Sequence, residues 1–195
     1  MTRAIARLRA RNERGERGAA MVEFALILPL LILVVFGVIE FGATFNDYQA
    51  VRQGTREAAR EGAVGTFGPA YDTAPTSTNC HLTGAGAATD NIKNLICLTK
   101  QQIGLDGSKV RVKILSGASD FTSAGTFSKD DSIIVCAQYP LTSVTSLFSP
   151  FLGGKYLRSK AAIRIEKSDI IATGGEETPP SGGNWSWCTV SSSSP

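Results

Sequence analysis

Arg17-Gly18-Ala19-Ala20-Met21-Val22-Glu23-Phe24-Ala25-Leu26-Ile27-Leu28-Pro29-Leu30 carries the chain from an arginine-rich leader into an apolar run with one carboxylate inside it. From Ala19 to Ile39 every residue except Glu23 is apolar. At ~1.5 Å per helical residue the run reaches roughly 30 Å, the thickness of a hydrocarbon core, so it predicts one transmembrane helix. Upstream, Arg3, Arg7, Arg9, Arg11, Arg14 and Arg17 stand against only Glu13 and Glu16. That bias keeps the N-terminus in the cytoplasm and exports everything after Phe41.

A carboxylate inside a bilayer costs about 2.5–3.5 kcal/mol on insertion scales, and less near the interface. Glu23 therefore calls either for a place among the headgroups or for a positive partner. Cleavage after Gly18 would make Ala19 the first residue, with a free amine, and Glu23 the fifth. In a bundle of such helices the amine of one subunit can meet the carboxylate of its neighbour and neutralise both. Pro29 removes an amide donor and frees the Ala25 carbonyl, so a kink is expected there, tolerated where neighbouring helices satisfy the freed group. A secretory signal peptide would have an apolar core of about 7–15 residues ending in small residues. This run is longer, and its far end, Gly37-Val38-Ile39-Glu40-Phe41-Gly42, is a poor cleavage match. An uncleaved anchor would use the same span, and only the Gly18–Glu23 spacing argues against it.

At these residues the sequence resembles the class III, type IV-like prepilins, whose leader ends in Gly and whose mature helix carries Glu at its fifth position followed by an aromatic residue. Here those are Gly18, Glu23 and Phe24. The quoted stretch, with Phe36-Gly37-Val38-Ile39-Glu40-Phe41-Gly42, is similar to the TadE-like pseudopilin family of tight-adherence pili, densely over residues 17–62. Leu157 to Glu166 is similar to the strand that closes the TadE-like region. The resemblance implies a single-pass protein of the bacterial inner membrane, its C-terminal domain extracytoplasmic, with a structural role in pilus assembly and surface attachment. It implies a processing site at Gly18 and Ala19, an assembly role for Glu23 and Phe24, and a prepilin peptidase as processing partner. Other pilins or pseudopilins, an inner-membrane assembly platform and a secretion ATPase are the implied assembly partners, with membrane lipid around the span. The competing reading of the same features is a permanently anchored envelope protein whose exported domain binds a partner without entering a pilus.

Five segments are expected: a basic leader at 1–18, the transmembrane helix at 19–41, a helical extension at 42–63, an exported α+β domain at 64–172, and a flexible tail at 173–195. In the extension, Phe41, Phe45, Tyr48, Val51, Thr55, Ala58 and Gly62 recur at three- and four-residue steps and trace one stripe. The stripe becomes small toward its end, which permits close approach of a sheet or another helix. Arg52, Arg56 and Arg60 lie on another face, expected to be solvated and partly balanced by Glu57 and Glu61. Gly65 to Ala88 is rich in Gly, Thr, Pro and Ser and reads as a long loop. Asp90 to Ile103 predicts a short helix with Ile92, Leu95, Ile96 and Ile103 on one side, an N-cap at Thr89 or Asp90, and a stop at Gly104.

Val110, Val112 and Ile114 alternate with Lys109, Arg111 and Lys113, as a strand with one buried face does. Ser132 to Tyr139 is almost continuously apolar and predicts a central strand covered on both faces. Ala161, Ile163 and Ile165 alternate again. These strands packed on the helical stripe make an α+β fold, a small antiparallel sheet on a long helix. After Ala172 the composition turns to Gly, Pro and Ser, which reads as a flexible linker or tail.

All four cysteines, Cys80, Cys97, Cys136 and Cys188, fall on the exported side, where disulfides persist. Three pairings are open. Cys80 with Cys97 would staple the loop to the short helix, and Cys136 with Cys188 would tie down the tail. No close pair of cysteines suggests a zinc site, and no metal or cofactor is expected. His81, the only histidine, follows Cys80, and neighbours in an extended segment point to opposite sides, a poor geometry for a nucleophile and its base. No enzyme is expected. The net charge of +3 is concentrated in the leader, which leaves no basic footprint for nucleic acid. Trp185 and Trp187 flank Ser186 beside Cys188, and either dock the tail on its own domain or form an exposed contact patch.

Overall fold

The computed structural model describes residues 2–65, 67, 80–84, 88–116, 125–127, 129–166, 170–172 and 175–189, with the backbone alone at 2–17, 125–127 and 170–172. The expected Gly65–Ala88 loop lies outside the described residues except at 65, 67, 80–84 and 88, as do 173–174 and 190–195 of the expected tail. Helix α1 runs Thr2–Val64 with Pro29 inside it. The chain divides into two units, Met1–Ala43 and Thr44–Pro195, and the first is described by its helix alone.

The second unit is α+β. It contains the C-terminal part of α1, helix α2 (Asp90–Ile103), strands β1 (Arg111–Ser116), β2 (Gly125–Phe127) and β3 (Ser132–Pro140), the single turn α3 (Ser149–Leu152), then β4 (Tyr156–Arg164) and β5 (Ile170–Ala172). β1, β3 and β4 form an antiparallel sheet with β3 in the centre, Val112 opposite Ala137 and Ile133 opposite Ile163. β2 and β5 pair separately as a two-stranded ribbon. α2 follows its predicted bounds. Thr89 occupies the N-cap position, and Gly104 ends the helix at φ 69°, where its amide donates to the Lys100 carbonyl (3.1 Å). Such left-handed caps favour glycine because a Cβ would crowd the preceding turn.

Alternation along β3 builds two cores. Ile133, Val135, Ala137 and Tyr139 face a cluster that includes Val51 and Ala59 of α1 with Ile92 and Leu95 of α2. Ile134 and Cys136 face the other way, onto Leu115, Trp185 and Cys188, with Trp187 packed alongside. The central strand is therefore covered on both faces, as its unbroken apolar run requires. Burial raises the Tyr139 phenol above its ordinary range, and the nearby Asp47 carboxylate adds to the rise.

The small end of the α1 stripe makes the close approach. A Cβ at Gly54 would stand 2.5 Å from the Ile103 amide nitrogen of α2, and one at Gly62 would stand 2.8 Å from Ile133 Cδ1 of β3. Val51, Thr55 and Ala58 are buried, whereas Phe41, Phe45 and Tyr48 are exposed, so cover along the stripe begins only at Val51. Arg52, Arg56 and Arg60 are exposed, and Arg60 pairs with Glu57 at 3.7 Å across the surface.

The C-terminal segment departs from expectation. Composition predicts a flexible tail from 173 onward, yet residues 175–189 form the cover of the second core. Gly175 accepts the Ile114 amide (2.7 Å) and the Glu177 amide donates to the Val112 carbonyl (3.1 Å). Lys113 pairs with Glu176 at 2.8 Å across the bridge they form. The segment thus lies along the outer edge of β1 and takes up backbone groups an edge strand would leave open. Composition misled because side chains at three positions, Glu177, Trp185 and Cys188, outweigh the loop-forming glycines and prolines between them.

Candidate membrane and assembly site

Between Gly18 and Ile39 the helix presents its side chains outward. An 18-residue window here has a mean hydropathy of 2.8, and none of it is buried within the protein. Gly18, Ala19, Glu23 and Phe24 are all exposed on this helix. A Cβ added at Gly18 would meet nothing within 4 Å. Ala19 and Glu23 are four residues apart, so one helical turn brings them onto the same face. Pro29 lies a turn and a half further along. An apolar surface of this length without protein cover is a candidate membrane anchor, because water would penalise it at roughly 25 cal/mol per Å².

The second unit, Thr44–Pro195, buries a carboxylate instead. Lys100 and Glu177 form an ion pair at 2.8 Å with both side chains at 0% exposure. The Glu177 carboxylate also accepts the Thr83 and Val112 amides, each at 2.9 Å. Lys100 Nζ donates in addition to the His81 carbonyl, and the Trp185 indole donates to the Glu177 carbonyl at 2.9 Å. Burial lowers the Lys100 pKa from the ordinary lysine range, while Glu177 acts to raise it. Five separate pieces of chain meet at this pair: residues 81–83, α2, β1, Glu177 and Trp185. The sequence reading missed it. Its signal was available, since Lys100 falls on the same helical side as Ile92, Leu95, Ile96 and Ile103, where a lone cation is buried only with a partner.

The cysteines pair as Cys80–Cys97 and Cys136–Cys188, which selects one of the three open pairings. Cys80 is thereby removed as a nucleophile for His81. Trp185 is buried, and Trp187 lies 5.8 Å from it between ring centroids with the Arg158 guanidinium 5.6 Å from its own centroid. Of the two tryptophan readings, docking on the domain holds for Trp185, and Trp187 is half-buried against the same cluster.

Residues 18–60 match the family model for TadE-like protein. The TadE-like segment starts at Gly18, takes in Glu23, Phe24 and Pro29, and ends within the helical turns that pack on α2 and β3. Leu157 to Glu166 lies outside it. No curated protein matches the chain, and no solved structure does.

Proposed function

We propose that the chain is a membrane-anchored pseudopilin that serves tight-adherence, type IV-like pilus assembly as a structural subunit. The observation that carries this reading is the TadE-like match beginning at Gly18, on a helix whose apolar surface has no protein cover and whose single carboxylate stands five residues on. A prepilin peptidase cuts after Gly18, and Ala19 becomes the N-terminus. The new amine and the Glu23 carboxylate then neutralise each other across neighbouring helices, so that the charge is carried through the bilayer as half of a pair. Pro29 leaves the Ala25 carbonyl for a neighbouring helix to satisfy. Other pilins, an inner-membrane platform and a secretion ATPase are the assembly partners of such a subunit, and the exported unit supplies the surface that faces outward.

Mass spectrometry of the N-terminus in cells with an active prepilin peptidase tests processing. The mature chain is expected to begin at Ala19, and Gly18→Leu to leave the full-length species in the membrane. Retention of residues 1–18 in the native protein would sink the pseudopilin reading and favour a permanent anchor. Glu23→Ala separates assembly from processing: cleavage is expected to persist while incorporation into pili falls at least tenfold. Normal piliation with Glu23→Ala would place the carboxylate among headgroups, without a role in assembly.

A further inference from the structure

The connection from β3 to β4 has a composition unlike the rest of the exported unit. Residues 141–154 contain no charged side chain. Val144, Leu147 and Phe151 stand 65%, 54% and 70% exposed. The backbone holds them in a defined shape: the Leu141 amide donates to the Lys155 carbonyl (2.9 Å), and the Phe151 and Gly153 amides close the α3 turn onto Phe148 and Ser149 (3.0 and 2.9 Å).

Packing within the exported unit sets which end of it this loop occupies. At one end of the sheet the Glu166 amide donates to the Ala63 carbonyl (3.0 Å), and Ile133 lies against Gly62. At the other end Tyr139 lies within the electrostatic reach of Asp47. From Gly62 back to Asp47 α1 rises roughly 22 Å at ~1.5 Å per residue. From Ile133 to Tyr139 β3 rises roughly 20 Å at ~3.3 Å per residue. β3 therefore runs alongside α1 in the opposite sense, and the β3–β4 loop emerges at the end where the chain enters the unit at Thr44. The residues just before that entry are the candidate anchor.

We propose that residues 141–154 form a second membrane contact, in which Val144, Leu147 and Phe151 enter the interfacial layer of the lipid bilayer. The proposal rests on reading residues 19–41 as a membrane span. An uncharged stretch of apolar and hydroxyl side chains suits the boundary between headgroup and hydrocarbon, where apolar side chains bury without carrying an ionised group toward the bilayer core. Along the chain, charge returns with the exposed Lys155, whose stem can lie along lipid while its ammonium reaches phosphate oxygens; Asp47, Asp106 and Lys109 lie near Tyr139 at the same end. Tethering strengthens the effect. A loop too weakly apolar to hold a free domain on a membrane is occupied when a covalent anchor keeps it at high effective concentration beside one. The loop then braces the exported unit against the bilayer, and the contact is given up when the subunit leaves the membrane.

The test uses the full chain reconstituted in phosphatidylcholine–phosphatidylglycerol liposomes, with Phe151→Trp and, separately, Leu147→Trp. Lipids brominated on the acyl chain near the headgroup report depth, and the parent chain supplies the emission of Trp185 and Trp187. The added tryptophan is expected to emit to the blue of its value in water and to be quenched at least twofold more than the parent emission, independently of the protein-to-lipid ratio. Emission as in water, unquenched at both positions, overturns the proposal. Blue-shifted emission that escapes the brominated lipid and grows with protein-to-lipid ratio also overturns it and makes a second copy of the chain the occupant. Flotation of the parent with the liposomes keeps the two readings apart: a chain that floats but leaves the added tryptophan unquenched retains its anchor and loses the loop contact. A chain that does not float loses both.

Discussion

Glu23 and Glu177 are two glutamates among apolar neighbours that their own chain treats in opposite ways. Glu177 is wrapped by its own chain, with Lys100 at 2.8 Å and two backbone amides at 2.9 Å. Glu23 stands exposed on a helix whose apolar window has no protein cover. The same contrast runs along α1 itself, since residues from Val51 on are packed by α2 and β3 while the stretch before Ala43 presents Leu, Val and Phe outward. A region that closes its own polar and apolar accounts folds as a domain. The stretch from Gly18 to Ile39 leaves its apolar surface uncovered by the protein, as a candidate membrane anchor does.

The sharpest way to break this comparison is to remove the internal partner. Glu177→Ala leaves Lys100 buried without its counter-charge, strands the Thr83 and Val112 amides, and is expected to cost the second unit about 3–5 kcal/mol. Denaturant unfolding of the full chain in detergent, followed by Trp185 emission, reads the loss. A cost under about 1 kcal/mol would show that the pair is dispensable and that the tail is held by its disulfide, its backbone bonds to β1 and Trp185 packing. Glu23→Ala in the same assay is expected to change nothing, because Glu23 stands exposed on the helix and lies outside the unit Thr44–Pro195.

Reduction comes next. The Cys136–Cys188 bridge closes a loop with a sequence separation of 52, and disulfides of this kind stabilise by about 2–4 kcal/mol. Reductant is expected to lower the melting temperature of the second unit and to move Trp185 emission toward its value in water. An unchanged melting curve after complete thiol labelling would contradict this.

The smallest effect concerns two glycines of α1. At Gly54 an added methyl meets the backbone of Ile103 at 2.5 Å, whereas at Gly37 nothing lies within 4 Å. Gly54→Ala is expected to cost about 1–3 kcal/mol through overpacking, and Gly37→Ala to leave the melting temperature of the second unit unchanged. Equal effects of the two substitutions would erase the distinction between the packed and the open stretches of the helix.

How far each element could be read from sequence follows from the range of the interaction that defines it. α2 was legible to its ends because Thr89, Gly104 and the spacing of Ile92, Leu95 and Ile96 are local signals. β1, β3 and β4 were legible by alternation, and the double-sided apolar run of β3 correctly required cover on both faces. β2 and β5 were not, since three residues are too few to show a period. The tail was misread for a related reason: average composition over 173–195 registers Gly, Pro and Ser, whereas its order rests on single contacts with Lys100, β1 and Cys136. The Gly18, Ala19, Glu23, Phe24 and Pro29 motif could be quoted from sequence because its residues lie near one another on one helix, and residues 18–60 match the TadE-like model; the roles of these residues belong to the proposed function.

The sequence by itself determined the long apolar helix, the arginine-rich leader before it, the carboxylate at Glu23, the resemblance to TadE-like proteins and the strands of the central sheet. These depend on periodicity and on residues near one another in the chain. Only the tertiary structure decided that the C-terminal segment is the second cover of β3, that Cys136 joins Cys188, and that Lys100 meets Glu177 across a sequence separation of 77. A buried charge must be compensated wherever the fold brings a partner to it, and nothing in the neighbouring sequence reveals how far along the chain that partner stands.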